Sequence, residues 1–319
     1  MKRLLILTAL LATMAARPSG WVVVPNELAD VEGNAAQLAP FTGPDTPGPG
    51  GEFWDSERYQ QVYDASQFAT VRPEGEFVTA IDFRVDAPLG YPSGVLLRSM
   101  EVSLSTTARG PDNLSTNFAE NVGPDATVVF RRGQYSAALG YTPFESPQGF
   151  DMSIIATPWF FYRPLSGNLL LDIKVFTYSN SIRAAPFDAS DVTGDSISCL
   201  ATTNVTSTTG RTFTQGLVTA FAIGTPLLQA LQTNDMLTLY WWQGIEGFTL
   251  QSTTNVGPEA NWTPVPQPVT VSGQTRIVEV PIQPNIVGSY FRLKWTPPPG
   301  KALPAGIGDR PLVSPIPVP

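Results

Sequence analysis

The stretch Phe77-Val78-Thr79-Ala80-Ile81-Asp82-Phe83-Arg84-Val85-Asp86 decides the fold. In its second half Ile81, Phe83 and Val85 alternate with Asp82, Arg84 and Asp86. That is the period-two pattern of a strand with one face in a core and one in water. Met100, Val102 and Leu104 repeat it. Further runs follow at 126–130, 134–139, 150–156, 159–162, 168–177, 196–201 and 217–223, separated by clusters of Gly, Pro, Asn and Asp. Roughly nine short strands with no sustained helical period predict an all-β chain, its larger domain a jelly-roll-like β-sandwich over 53–223. The expected interruption is a short helix over 112–122, capped by Asp112 or Asn113, with Leu114, Phe118 and Val122 facing inward.

Working outward, 17–52 reads as a loosely held arm ending in the turn-rich linker FTGPDTPGPGG, with the fold starting near Phe53. Residues 224–235 read as a connector with a helical turn around Leu227–Leu231. A smaller β-sandwich module follows over 236–295, with strands at 236–242, 247–252, 261–265, 269–271, 275–281 and 289–294 and a hairpin turn at Ser272-Gly273. The tail over 296–319 is proline-rich and is expected to be unfolded or polyproline-like.

The chain of 319 residues is 42% hydrophobic and 14% charged, a composition that buries a core. It opens with Lys2 and Arg3, the apolar run Leu4–Leu11 and small residues through Ala16. These are the three regions of a secretory signal (1–16), with cleavage expected near Ala16. The apolar run is far shorter than the roughly 20 residues of a spanning helix, so no transmembrane segment is expected after cleavage. The net charge of −8 deepens once Lys2 and Arg3 are removed, which excludes phosphate neutralisation and hence nucleic acid as a partner. The single cysteine, Cys199, has no partner for an internal disulfide. It shares a strand face with Ile197, where a free thiol reads as core packing.

Histidine is absent, which excludes Ser-His-Asp and Cys-His catalysis and histidine-ligated zinc, copper or haem. Glu52, Asp55 and Glu57 are spaced three then two, so a strand cannot put all three on one face for carboxylate-pair glycoside hydrolysis. They read as solvated charge. After the signal only Lys174, Lys294 and Lys301 remain, and no Ser-x-x-Lys motif occurs. Asp188, Asp191 and Asp195 lie in one loop, FDASDVTGDS, as oxygen ligands for a structural calcium ion. The spacing is not that of an EF-hand, and Asx turns are the stronger reading. Trp159, Tyr162, Trp241 and Trp242 are the candidate stacking platforms for a sugar. In WFFY, over 159–162, alternation puts one aromatic pair in the core and leaves the other free to be exposed. Core or interface packing competes at all four positions.

The strings QVYDASQF from Gln61, AIDFRVD from Ala80, VSLSTT from Val102, DNLSTNFAENVG from Asp112 and GNLLLDIKVF from Gly167 carry a resemblance. Over about 53–223 the chain resembles the secreted β-sandwich proteins of exosortase-bearing environmental bacteria, the PEP-CTERM type. GFTLQSTTNVG from Gly247, NWTPV from Asn261 and YFRLK from Tyr290 resemble a small fibronectin-III-like module of secreted proteins in similar bacteria. The resemblance implies an exported, non-catalytic surface or matrix protein of a Gram-negative cell, and supplies no catalytic residues. PLVSPIPVP stands where a Pro-Glu-Pro signal, apolar helix and basic tail would, so exosortase anchoring does not come with it. The expectation is a secreted, non-enzymatic surface, matrix or adhesion protein that needs no cofactor beyond a structural calcium. Its partner would be an extracellular polysaccharide or a cell-surface protein. A carbohydrate-binding module is the alternative, and a carboxylate-dependent glycosidase the weaker one.

Overall fold

The computed structural model describes residues 20–41, 57–73, 75–178, 185–224, 228–233, 235–242, 247–255, 259–272, 275–282, 289–296 and 316–318. The expected signal with its cleavage site, the linker after Phe41 together with Phe53, Glu52 and Asp55, and most of the tail lie outside them. The larger domain contains β1 (Gly20–Val24), β2 (Ala35–Gln37), β3 (Glu57–Tyr63), β4 (Glu76–Phe83), β5 (Ser93–Thr107), β6 (Thr127–Leu139), β7 (Met152–Tyr162), β8 (Asn168–Tyr178), β9 (Phe187–Ser190), β10 (Ile197–Thr202), β11 (Arg211–Phe213), β12 (Gly216–Leu217) and β13 (Thr219–Gly224). The smaller one contains β14 (Gln229–Thr233), β15 (Met236–Trp242), β16 (Phe248–Thr253), β17 (Thr263–Pro264), β18 (Thr270–Ser272), β19 (Thr275–Pro281), β20 (Ser289–Trp295) and β21 (Ile316–Val318). The chain is all-β, and every named strand pair is antiparallel.

A four-stranded sheet, β1-β13-β4-β7, faces a six-stranded one, β11-β10-β3-β8-β5-β6. Tyr63 on β3 meets Phe221 on β13 edge-on, with ring centroids 4.8 Å apart, and the Tyr63 hydroxyl lies 2.9 Å from the Thr219 hydroxyl. Such contacts from inward positions of both sheets make the sandwich core. A short sheet, β12-β9-β2, closes one side. The smaller module repeats the design with β14-β15-β19-β18 and β17-β16-β20-β21, packed through Leu237, Leu239, Trp241, Leu250, Val278 and Leu293. Phe77 of the larger domain and Phe248 of the smaller stand 5.9 Å apart. Among the described residues no helix is long and apolar enough to cross a membrane.

The deciding stretch forms most of the interior strand β4 and runs on past it, where Val85 bridges to Phe187, with Ile81, Phe83 and Val85 in the core as expected. Its polar face is not wet: Asp82 is 1% exposed, Arg84 1% and Asp86 4%. Asp82 is covered from β6 and β7, beside Tyr135 and Ser153, whereas Arg84 and Asp86 are roofed by chain the sequence reading left loose. β1 pairs with β13 along its whole length, and β2 pairs with β9. The arm is therefore part of the fold over 20–41.

Three further expectations give way. The 112–122 helix is a single 3₁₀ turn, Phe118–Glu120, capped by the Asn117 side chain on Ala119 N–H. Phe118 alone of its three expected inner residues is buried. The helical turn expected around Leu227–Leu231 is instead strand β14, paired with β15. The tail returns at Ile316–Val318 as β21, alongside β20. In the second module the hairpin joins Ser272 to Thr275, and Gly273 lies outside the described residues. Ile197 and Cys199 are buried as expected, and burial pushes the thiol up to about 12.

Glu57 is fully buried on β3 rather than solvated, and desolvation pushes its carboxyl up to about 8. The Tyr178 hydroxyl lies 3.1 Å from Glu57 Oε2 and 2.9 Å from the Pro40 carbonyl. One hydroxyl proton cannot serve both, so a neutral Glu57 donating to Tyr178, which donates to Pro40, satisfies the chain of contacts. Between the ordinary carboxyl range and about pH 8 the folded state holds this proton and the unfolded state does not, so stability falls as pH rises. From pH 6 to 8 denaturant titrations should show the native chain losing about 1.4 kcal/mol per pH unit relative to Glu57→Gln, whose amide can donate to Tyr178 at every pH.

Candidate functional site

The polar face of β4 leads into one end of the larger domain, where three loops meet: 26–34, 86–91 and 140–151. Arg84 is the post between them. Its Nε donates to Asp188 Oδ2 at 2.8 Å, with an Nη2 to Oδ2 ion-pair distance of 2.7 Å. Three more bonds go to main-chain carbonyls of the arm: Nη1 to Ala29 (3.2 Å), and Nη2 to Leu28 (2.8 Å) and Val31 (2.6 Å). The Phe150 ring lies 5.0 Å from the guanidinium carbon. Asp188 is held by β9, and its Oδ1 accepts from Gly33 N–H at 2.9 Å. Gly33 is required here, because a Cβ would collide with the Ala189 carbonyl and the Asp188 carboxylate.

Glu32 links the three loops. Its Oε1 accepts from Ala87 N–H at 2.8 Å and its Oε2 from the Ser146 hydroxyl at 3.3 Å. Tyr141 donates to the Ala87 carbonyl at 3.2 Å, and Asp86 Oδ1 accepts from Leu89 N–H at 2.7 Å. Oxygens of Glu32, Asp86 and Asp188 come within 4.8 Å of one another. Burial raises Asp86 and pushes Asp188 up to about 6, and the Glu32 charge adds to both. Three carboxylates this close are the donor set of a hard cation, yet both Asp188 oxygens already face donors and Arg84 supplies a countercharge. The arrangement acts as a clasp.

The acids named from sequence do not converge. Asp188 goes inward to Arg84. Asp195 closes an Asx turn, accepting from Ile197 N–H (2.9 Å) and the Ser190 hydroxyl (2.6 Å). Asp191 is exposed, and its N–H donates to Asn34 at 2.8 Å. Asp188 alone of that trio joins the cluster, and its partners Glu32 and Asp86 come from segments read as a free arm and a wet strand face.

Three of the four proposed sugar platforms are core residues. Trp159 is 7% exposed, Tyr162 0% and Trp241 1%, so none offers a ring face to a ligand. Trp159 packs 6.1 Å from Phe77, in the aromatic group that meets the second module, and so both faces of WFFY are covered. Tyr162 packs 4.9 Å from Phe68 and donates to the Gly167 carbonyl. The Trp242 side chain lies outside the description.

No protein-family model, curated protein or solved structure matches the chain.

The loop end carries an unusual residue, Phe144. It is fully exposed and sits at φ +68°, in the left-handed region. Gln148, 5% exposed, clamps this loop: its Nε2 donates to the carbonyls of Thr142 (2.9 Å) and Glu145 (2.5 Å), and its Oε1 accepts from Thr142 N–H (2.8 Å). Val31 and Leu89, one on each of the other loops, are more than half exposed. The loops contain Glu27, Asp30, Glu32, Asp86, Glu145 and Asp151 and neither Lys nor Arg. The sequence showed an aromatic between Pro143 and Pro147 but not that it stays in water.

A separate cleft of about 610 Å³ opens in the second module, floored by Leu237, Val280 and Phe291 and rimmed by Asn255, Glu259 and Asn261. Among the described residues Glu259 is the single carboxylate in its lining, so they assemble no pair for glycoside hydrolysis there.

Arg84→Met should destabilise the chain by about 3–5 kcal/mol in urea titrations, because it strands Asp188 and leaves three carbonyls without donors. Adding Asp188→Asn should recover part of the loss. Because Arg84 already holds Asp188 as its ion-pair partner, the melting temperature should be the same in calcium and in chelator. A chelator-sensitive midpoint would instead assign an ion to Glu32, Asp86 and Asp188.

Proposed function

We propose that the chain is an exported, non-enzymatic binding protein of the cell surface or matrix that docks a protein partner through the loop end of its larger domain. The observation that carries this reading is Phe144. A phenyl ring left in water forgoes about 2–3 kcal/mol of burial, and a left-handed φ adds about 1 kcal/mol of backbone strain. The Gln148 clamp maintains both costs. A loop built to keep an aromatic side chain out of the core fits an anchor that is buried on association, the usual use of aromatic residues at interface centres. The acidic loops, with Arg84 consumed internally, select the partner by charge: a surface combining basic and apolar side chains. Export rests on the N-terminal segment, and the surface or matrix role accords with the resemblance to PEP-CTERM-type proteins.

The test uses an alternating Lys/Leu peptide immobilised on a sensor surface, with polylysine and an alternating Glu/Leu peptide as controls. The native chain should bind the Lys/Leu peptide best. Phe144→Ala should weaken that binding about tenfold or more, while changing stability by less than about 0.5 kcal/mol, as befits an exposed position. Equal binding of the Glu/Leu peptide, or undiminished binding by Phe144→Ala, would remove the loop end as the docking face.

A further inference from the structure

The segment Pro315-Ile316-Pro317-Val318-Pro319 places proline at every second position. Successive N–H groups of an extended strand point to opposite edges, so a strand of this spelling has donors along one edge only. β21 is paired on that logic. Ile316 opposes Phe291, Pro317 opposes Tyr290 and Val318 opposes Ser289, antiparallel to β20. Pro317 has no N–H, so Tyr290–Pro317 is the non-hydrogen-bonded pair. The bonds are exchanged by Ile316 with Phe291 and by Val318 with Ser289.

In the sheet order β17-β16-β20-β21, β21 covers the edge of β20 that faces away from β16. Pro317 offers no donor outward, so pairing stops at β21. Residues 296–315 join two strands that lie side by side, where a two-residue turn would close an antiparallel pair. The register therefore does not oblige β21 to pair with the β20 of its own chain, because the same segment of another copy presents the same two donors.

We infer that the β20 edge at Ser289–Phe291 is a strand-acceptor site that takes the Ile316–Val318 segment of a second copy of this chain as well as its own. Recognition is by main-chain pairing, as in other strand-addition interfaces. The chain's own segment competes at an effective concentration of about millimolar, so exchange is favoured where copies are crowded. Each copy gives one strand and accepts one, which yields reciprocal dimers or head-to-tail assemblies. The site lies in the smaller module and shares no residue with the Phe144 loop end.

The test uses the full chain carrying Ile316→Pro and Val318→Pro, which lacks both donors and keeps the acceptor edge, with a fluorescent peptide of sequence SPIPVP. The peptide should bind this variant about tenfold more tightly than it binds the native chain, where the resident strand competes. N-methylation at its Ile and Val should abolish binding, and replacing its central proline by alanine should not. Hydrogen exchange at the Ser289 and Phe291 amides should be slow in the native chain, fast in the variant and slow again with peptide, which separates an open edge from a misfolded module. In sedimentation the native chain should associate with rising concentration and the variant should not. A peptide with no preference for the variant, or insensitive to N-methylation, overturns the acceptor site. A native chain that stays monomeric at about millimolar concentration overturns the second copy as its occupant.

Discussion

The buried pair of Arg84 and Asp188 is the constraint on which the rest of the larger domain depends. A guanidinium cannot shed its charge, so once the residue after β4 is 1% exposed, its nitrogens must meet acceptors inside the fold. One carboxylate supplies some of them, and the carbonyls of Leu28, Ala29 and Val31 supply the others. Those carbonyls converge only if the arm turns over the sheet after β1, which fixes the path of 25–34 and carries Glu32 to the ends of two further loops. Such a pair is not an efficient source of stability against an apolar replacement. It gives position instead: the arm, β9 and β4 have one mutual arrangement in which no polar atom of the group is stranded.

This explains why polarity along the sequence was a good guide to the strands and a poor guide to water. The alternation in Ile81–Asp86 gave the correct strand and the correct inner face. It could not show that the other face has a roof, because the roof over Arg84 and Asp86 comes from about 50 residues earlier and is recruited by hydrogen bonds rather than by apolar matching. The same error recurs at Glu57, read as solvated and buried as a neutral acid in contact with Tyr178 and, through it, Pro40. It recurs at Asp188, whose loop-mates Asp191 and Asp195 are nearest in sequence but not in function. At Trp159 and Tyr162 alternation left one aromatic pair able to be exposed, as in a two-layer sandwich, and the Phe77–Phe248 contact adds a further layer beside Trp159.

What was legible followed period and punctuation: the all-β class, the sandwich, Cys199 as core, and the strands of the second module. What was not legible needed tertiary partners. Phe144 is the clearest case, since an aromatic between two prolines reads equally as a buried plug. The burial of Gln148 and the φ of +68° separate the two readings.

Proline shows how far position outweighs composition. With 31 prolines the chain reads as turns and a loose tail, yet the structure uses the residue in two opposite ways. At Pro143 and Pro147 a preset φ narrows the conformations of a loop, which lowers the entropy lost in holding Phe144 outward. At Pro317 the missing N–H is the useful property: it leaves pairing possible on one side and none on the other, so a segment that could not lie inside a sheet can end one. The first use prepares a surface for a partner of different chemistry. The second limits pairing to a strand edge shared by every copy of the chain. A protein poor in charged side chains can in this way stop pairing beyond β21 without the lysines that usually guard such an edge, because the guard is an absent donor rather than a repelling charge.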